Sequence, residues 1–254
     1  MKRHLNSILK NSALFYSLFF LLSSQSSQAQ ELQNGLILPK AENTKVTCCI
    51  FVPQQGFTVY NEPNGISRGK ITGRIPNNAN AKEIFNIYFI ANGNQNPLPI
   101  ATNYLQEVDY ETWALTYVER KNGFVRVLNK ETAYWLSEVE IAEQGFKITE
   151  WQQFLMEKSG SVLGYYAKKP GLNIRTAPMV AKNKIMTLYG DLHEITLTDE
   201  YKGLWNKVTV IIRKEHPCNS SLPEEENITE ELEGWVKLID DSGTPNVWFY
   251  VRGC

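Results

Sequence analysis

Four cysteines, the two histidines beyond the N-terminal segment, His193 and His216, and a run of carboxylates are the residues of this chain whose chemistry could go beyond packing. The cysteines are the adjacent pair Cys48 and Cys49, then Cys218 and Cys254. Zinc would want paired thiols two to four residues apart, and no second pair of that kind exists, so an even count in an exported chain points to disulfides. Four cysteines allow three connectivities, among which the sequence does not choose. The preferred bridge is Cys218 to Cys254, which would tie a long insertion to the chain end. On a strand, Cys48 and Cys49 would face opposite ways, one buried and one exposed. A Cys218/His216 dyad would need the two side chains on one face of a regular element. The intervening Pro217 argues for a solvated loop instead. Carboxylates crowd at Glu224 to Glu226 and again at Glu230, Glu231 and Glu233, beside Pro223 and Asn227. Such a run reads as a solvated, flexible segment rather than a paired acid and base. Asn219-Ser220-Ser221 and Asn227-Ile228-Thr229 match the glycosylation acceptor pattern, which matters only in a host that glycosylates. Asp240-Asp241-Ser242-Gly243 lacks the spaced oxygens and closing Glu of a hand-type calcium loop and reads as turn chemistry. No Gly-rich phosphate loop is present. The expectation is no enzyme, no metal site and no cofactor.

The N-terminus sets the compartment. Lys2, Arg3 and Lys10 precede an apolar run from Ala13 to Leu22, and a polar stretch ends at Ser27-Gln28-Ala29. These are the three parts of a secretory signal, so residues 1 to 29 are set aside. The apolar run is about half the roughly 20 residues needed to cross a bilayer, so the processed chain is not expected to span a membrane. No Cys follows the run at once, which argues against a lipid anchor. Of the 26 Lys and Arg three leave with the signal, so 23 remain against 27 Asp and Glu, a formal charge of −4. That mild, dispersed acidity excludes the basic stripe that nucleic-acid binding requires. An exported protein of the periplasm or the extracellular space is expected. The remaining length suffices for two domains of roughly 100 residues.

The elements that must carry these groups occur twice. Gly56 to Pro63 (GFTVYNEP) matches Gly171 to Pro178 (GLNIRTAP) without a gap. Asp109 to Gly123 echoes Glu200 to Lys214, with Tyr110 opposite Tyr201 and Trp113 opposite Trp205. Gly123 to Val127 (GFVRV) pairs with Gly234 to Leu238 (GWVKL), and Trp135 with Trp248. A duplication of this kind makes each copy one folding unit. Short runs rich in Val, Ile, Tyr, Phe and Trp between Gly, Asn, Asp and Pro read as strands and turns. The first copy spans residues 46 to 141 and the second 161 to 254. Their strands are expected near 47–52, 56–60, 70–74, 83–90, 113–120, 123–128 and 133–139, then 162–167, 172–175, 184–188, 193–198, 205–213, 234–239 and 247–252. Lys121-Asn122-Gly123 marks a tight hairpin. Insertions at 91–107 and 215–233 enlarge two loops. The connector, residues 142 to 160, holds one short amphipathic helix from about Glu150 to Lys158. Thr149 and Gln152 would form its capping box, and Trp151, Phe154 and Leu155 one apolar face that packs into the junction.

The second copy resembles the bacterial SH3-like domain. It supplies Leu172-Asn173-Ile174-Arg175-Thr176-Ala177-Pro178, Lys184-Ile185, Trp205-Asn206-Lys207-Val208 and Gly234-Trp235-Val236-Lys237 in the order of that family's motifs. The first copy is degenerate, with Thr58-Val59-Tyr60-Asn61-Glu62-Pro63 in place of the Arg-containing strand. The resemblance implies an all-β protein of two tandem, small, partly open β-barrels joined by a short helix. It also implies a binding module for cell-wall peptidoglycan or a peptide.

Small barrels fill their own interiors, so a ligand is expected at loops and exposed aromatics. Tyr60, Tyr110, Tyr134, Tyr201 and Arg175 are the candidate ligand-binding residues. Tyr60, Tyr110 and Tyr134 are expected to form a groove with the 91–107 insertion. The five tryptophans at 113, 135, 205, 235 and 248 are expected in the core. The alternative is an envelope scaffold, inhibitor or immunity module whose acidic segment, Glu224 to Glu233, meets a basic partner protein.

Overall fold

Strand exceeds helix by 56% to 10%, which makes the protein mostly β, consistent with an all-β chain. A computed structural model describes residues 34–42, 49–53, 55–73, 87–94, 96–101, 104–128, 134–181 and 183–253. The segment expected to be a signal, residues 1–29, lies outside the described residues, as do Cys48 and Cys254. The strands of the first half are β1 (Gly35–Pro39), β2 (Ile50–Phe51), β3 (Phe57–Tyr60), β4 (Ser67–Thr72), β5 (Ile87–Ala91), β6 (Leu98–Ile100), β7 (Leu105–Asp109), β8 (Thr112–Lys121), β9 (Phe124–Val127) and β10 (Trp135–Ser137). Helix α1 (Glu138–Glu143), strand β11 (Phe146–Glu150) and helix α2 (Trp151–Lys158) follow. The second half contains β12 (Tyr165–Arg175), β13 (Lys184–Lys202), β14 (Trp205–Arg213), α3 (Glu224–Asn227), β15 (Ile228–Lys237) and β16 (Val247–Phe249).

The first half and the connector make one sheet of 11 strands in the order β11-β1-β8-β9-β10-β3-β4-β5-β6, with β2 and β7 also on β8. The second half makes a sheet of five. There β12 pairs with β13, β13 with β14, β14 with β15, and β15 returns to β12 at Ile174↔Val236, so the pairings run in a closed circuit. Strand β16 joins β12 at Tyr165↔Phe249.

Several expectations are corrected in detail. Strand β1 precedes the expected start of the first copy, and the connector adds β11 beside it, in register from Gly35↔Glu150 to Pro39↔Phe146. The 91–107 insertion is not a plain loop. It holds β6, paired with β5 at Tyr88↔Pro99, and the start of β7. Pro97 and Pro99 mask the Leu98/Ile100 alternation in the sequence, and Pro is accommodated because β6 is an edge strand. The 215–233 segment likewise becomes strand from Ile228, because β14 continues to Arg213 and takes β15 as its partner along that length. Asn227, buried, closes this connection with a bond at each end of its amide. Its Oδ1 accepts from the Glu215 N–H at 3.0 Å and its Nδ2 donates to the Glu215 carbonyl at 3.0 Å.

Helix α2 forms as expected, and Trp151, Phe154 and Leu155 are all buried. The expected capping box does not form. Glu150 is the N-cap and makes no side-chain cap bond, while Thr149 belongs to β11 and its buried hydroxyl has no partner. The better-capped helix is α1, where Ser137 accepts from the Glu140 N–H at 3.4 Å and Glu138 and Glu140 occupy the first turn. The strand expected over 133–139 overlaps only its first two residues, Glu138 and Val139.

Two apolar clusters lie on either side of β1 and β8. Leu36, Leu38 and Ala114 belong to one, with Trp151, Phe154, Trp248 and Phe249, while Ile37, Leu115 and Tyr117 belong to the other, with Phe57, Val59 and Phe146. Adjacent residues of a strand face opposite ways, so both faces of these two strands are covered. The α2 face therefore packs into the junction. Trp248 meets Trp151 edge-on at 5.8 Å and stacks on Phe154 at 5.9 Å. Each fully buried side chain of this kind contributes roughly 1.5–3 kcal/mol.

Candidate functional site: an aromatic cleft between the halves

A cleft of about 580 Å³ opens where the β7–β8 hairpin of the first half faces β16 and the chain after it. Glu107 and Trp113 are cross-strand partners in that hairpin, so both side chains leave the same face. The Trp113 N–H donates to the Cys49 carbonyl at 2.9 Å, which holds the hairpin's base. From the second half come Tyr166 on β12 and Tyr250 just past β16, their rings 5.0 Å apart and tilted by 46°. Arg252 lies at the rim with its guanidinium 5.7 Å from the ring centre of Tyr110.

One wall is fixed by charge. The Arg213 guanidinium is almost fully buried and reaches Glu194 at 2.7 Å and Glu224 at 3.3 Å. Glu194 lines the cleft, so its carboxylate there is already neutralised. The 214–227 connection, pinned by the same arginine, brings His216 and Cys218 to the cleft. The His216 Nδ1 accepts from the Cys218 N–H at 3.1 Å. Cys218 and Cys49 are both disulfide-bonded, and no described cysteine is free. The Cys218 sulfur is therefore not a thiolate nucleophile. The expected Cys218–Cys254 pairing involves a residue outside the described ones.

No protein-family model matches the chain, and no curated protein or solved structure matches it either. Its site must be read from its own geometry. Among the described residues, no group of three or more His, Cys, Asp or Glu is arranged to hold a metal ion. No helix among them is long and apolar enough to cross a membrane.

The five expected ligand residues lie at separate places. Tyr60 is the register partner of Trp135 on β3 and β10 and meets Phe124 edge-on at 5.4 Å. Tyr134, one residue before Trp135, faces the other way and stacks on Phe89 at 4.7 Å, against the core. Tyr110 lies beside Arg252 at the rim of the cleft, half exposed. Tyr201 is exposed on the β13–β14 hairpin, and Arg175 ends β12 opposite Trp235. Of the tryptophans, Trp135 and Trp248 are buried, while Trp113, Trp205 and Trp235 are half-buried. Trp113 is thus partly available to the cleft. The sequence did carry a signal for this place. Val247 to Arg252 reads VWFYVR, and Tyr165-Tyr166 reads as a doublet. Within these aromatic runs Tyr165, Trp248 and Phe249 are buried, and Tyr166 and Tyr250 are the half-buried members.

Electrostatics elsewhere support the scaffold. Burial raises the Tyr165 phenol well above its ordinary range, and its hydroxyl donates to the Leu155 carbonyl at 2.5 Å, tying β12 to α2. Burial also raises the Tyr117 phenol, with Glu150 adding to the effect. In the 240–243 turn, partial burial acts to raise the Asp240 pKa. Hydrogen bonds from Ser242 and Thr244 outweigh it, with Lys237 helping, and hold the carboxylate below its usual range. This is the expected turn chemistry.

Proposed function

We propose that the protein is an exported, non-catalytic binding protein of two tandem SH3-like barrels, which holds a cell-wall peptidoglycan fragment or a peptide. The observation that carries this reading is the cleft at the junction, where Trp113, Tyr166 and Tyr250 meet the carboxylates of Glu107 and Glu194 and the Arg252 guanidinium. Aromatic walls with a few convergent polar groups suit a ligand with apolar faces and fixed polar points. The closed pairing circuit of β12 to β15 and the signal-like N-terminus support the family and the compartment. The site belongs to both halves, because the hairpin comes from one and the β12 and β16 residues from the other.

Retention of the processed chain, residues 30 to 254, on insoluble peptidoglycan tests the proposal. Retention that falls when Trp113 and Tyr166 become Ala is expected; retention on the wall that ignores both changes, or no retention at all, contradicts it.

A second reading rests on a different surface. Strand β15 exposes Glu230, Glu231 and Glu233 along the length that pairs only with β14, an acidic strand edge suited to a basic partner protein. Capture of one envelope protein that disappears as salt rises would favour it over wall binding.

A further inference from the structure

Of the charged side chains lining the cleft, Glu107 and Arg252 have no ion pair among the described residues. Glu194 is neutralised by Arg213 at 2.7 Å, and Asp109, on the same hairpin as Glu107, has Lys158 at 3.9 Å. Glu107 has no ion pair among the described residues. Its Oε1 accepts from the Glu111 N–H at 3.2 Å, and the side chain is half-buried. The cross-strand neighbour of this carboxylate is the half-buried indole of Trp113. A partly desolvated carboxylate beside an indole face favours a cation, since the ring quadrupole and the carboxylate attract it together. Arg252 does not meet this need, because its guanidinium lies over the Tyr110 ring at the rim.

We infer that the cleft takes the alkylammonium side chain of a lysine-like residue in a peptide, with the methylenes against Trp113 and the ammonium at Glu107. The inference rests on the cleft being the binding site, and it narrows the ligand to a peptide with a free primary amine. It predicts a charge requirement at one point of the ligand, which apolar packing alone would not impose.

The test uses three short peptides, each acetylated at the N-terminus and amidated at the C-terminus so that no terminal charge competes. They carry Ala-Lys-Ala, Ala-norleucine-Ala or Ala-(Nε-acetyl-lysine)-Ala, titrated against the processed chain and followed by tryptophan fluorescence. The lysine peptide is expected to bind at least tenfold more tightly than the other two. Glu107→Gln keeps an oxygen to accept from the Glu111 N–H and is expected to erase that preference while the melting temperature stays unchanged. Equal binding of the three peptides, or a preference that survives Glu107→Gln, overturns the inference. If none binds while wall retention still depends on Trp113 and Tyr166, the lysine inference fails and the cleft reading stands. If retention is independent of both aromatics, the cleft reading fails and this inference with it.

Discussion

The two halves share strand sequences and use them differently. In the first, β8 and β9 are joined by the Asn122-Gly123 turn, both residues at positive φ (51° and 76°), and β9 is held to the end of β8 at Lys121↔Phe124. In the second, the matching strands β14 and β15 are joined by residues 214–227, and β15 runs the whole length of β14. The copies GFVRV and GWVKL therefore meet different partners. Val125 lies opposite Arg120 and Leu136, whereas Val236 lies opposite Asn206 and Ile174. Turn length sets register, and register sets neighbours. In the first half β10 enters between β9 and β3, and the sheet grows outward; in the second β15 reaches β12 directly and the pairings close. The longer connection also brings His216 and Cys218 to the cleft. The first half is chiefly support, and the second supplies most of the walls.

The largest expected effect breaks the join between them. Trp248→Ala removes a buried ring that packs on both Trp151 and Phe154, and should cost about 3–5 kcal/mol in denaturant unfolding. A loss under about 1 kcal/mol would mean that the halves do not share this core. Asn227→Ala comes next, because it strips both side-chain bonds from Asn227 to Glu215 in the long connection while leaving the first half untouched. A loss of about 1–3 kcal/mol is expected from the stranded Glu215 groups, together with faster amide exchange confined to residues 214–231.

Much of this asymmetry was hidden in the sequence, for identifiable reasons. The strands with strong alternation or tight turn residues, such as β3, β8, β9 and β14, and the α2 face were legible. Strand β6 was masked by its prolines, and the acidic half of β15 by Glu230, Glu231 and Glu233, because an exposed strand face tolerates any charge. Strand β1 was missed because GLILP is buried on both faces and so shows no alternation. The cleft was harder still. Its members lie far apart in the chain, and only the register of Glu107 with Trp113 and of Tyr166 with Trp248 brings them together.

Smaller effects sharpen the contrast. Gly123 and Gly203 sit at positive φ, 76° and 56°, with open space around each Cβ position, so only backbone strain opposes Ala. Each Gly→Ala should cost about 1 kcal/mol by thermal melting. Hydrogen exchange should show the Gly123 variant loosening β8 and β9 alone, and the Gly203 variant loosening β13 and β14. The smallest effect is a pH dependence. The Asp240 carboxyl lies below its unfolded value, so the stability it adds is present above the ordinary carboxylate range. That contribution fades as pH falls through the lowered value. Asp240→Asn should flatten this acid limb in a melting-temperature series and leave the neutral region nearly parallel to the parent.

The most direct measurement is chemical-shift mapping of the amide and indole N–H signals while a soluble muropeptide is titrated into the processed chain. A site shared by the two halves predicts shifts at Glu107, Trp113, Tyr166, Tyr250 and Arg252 together, all following one binding curve. Shifts clustered at Tyr60, Arg175 and Tyr201, with the cleft residues unmoved, would contradict it.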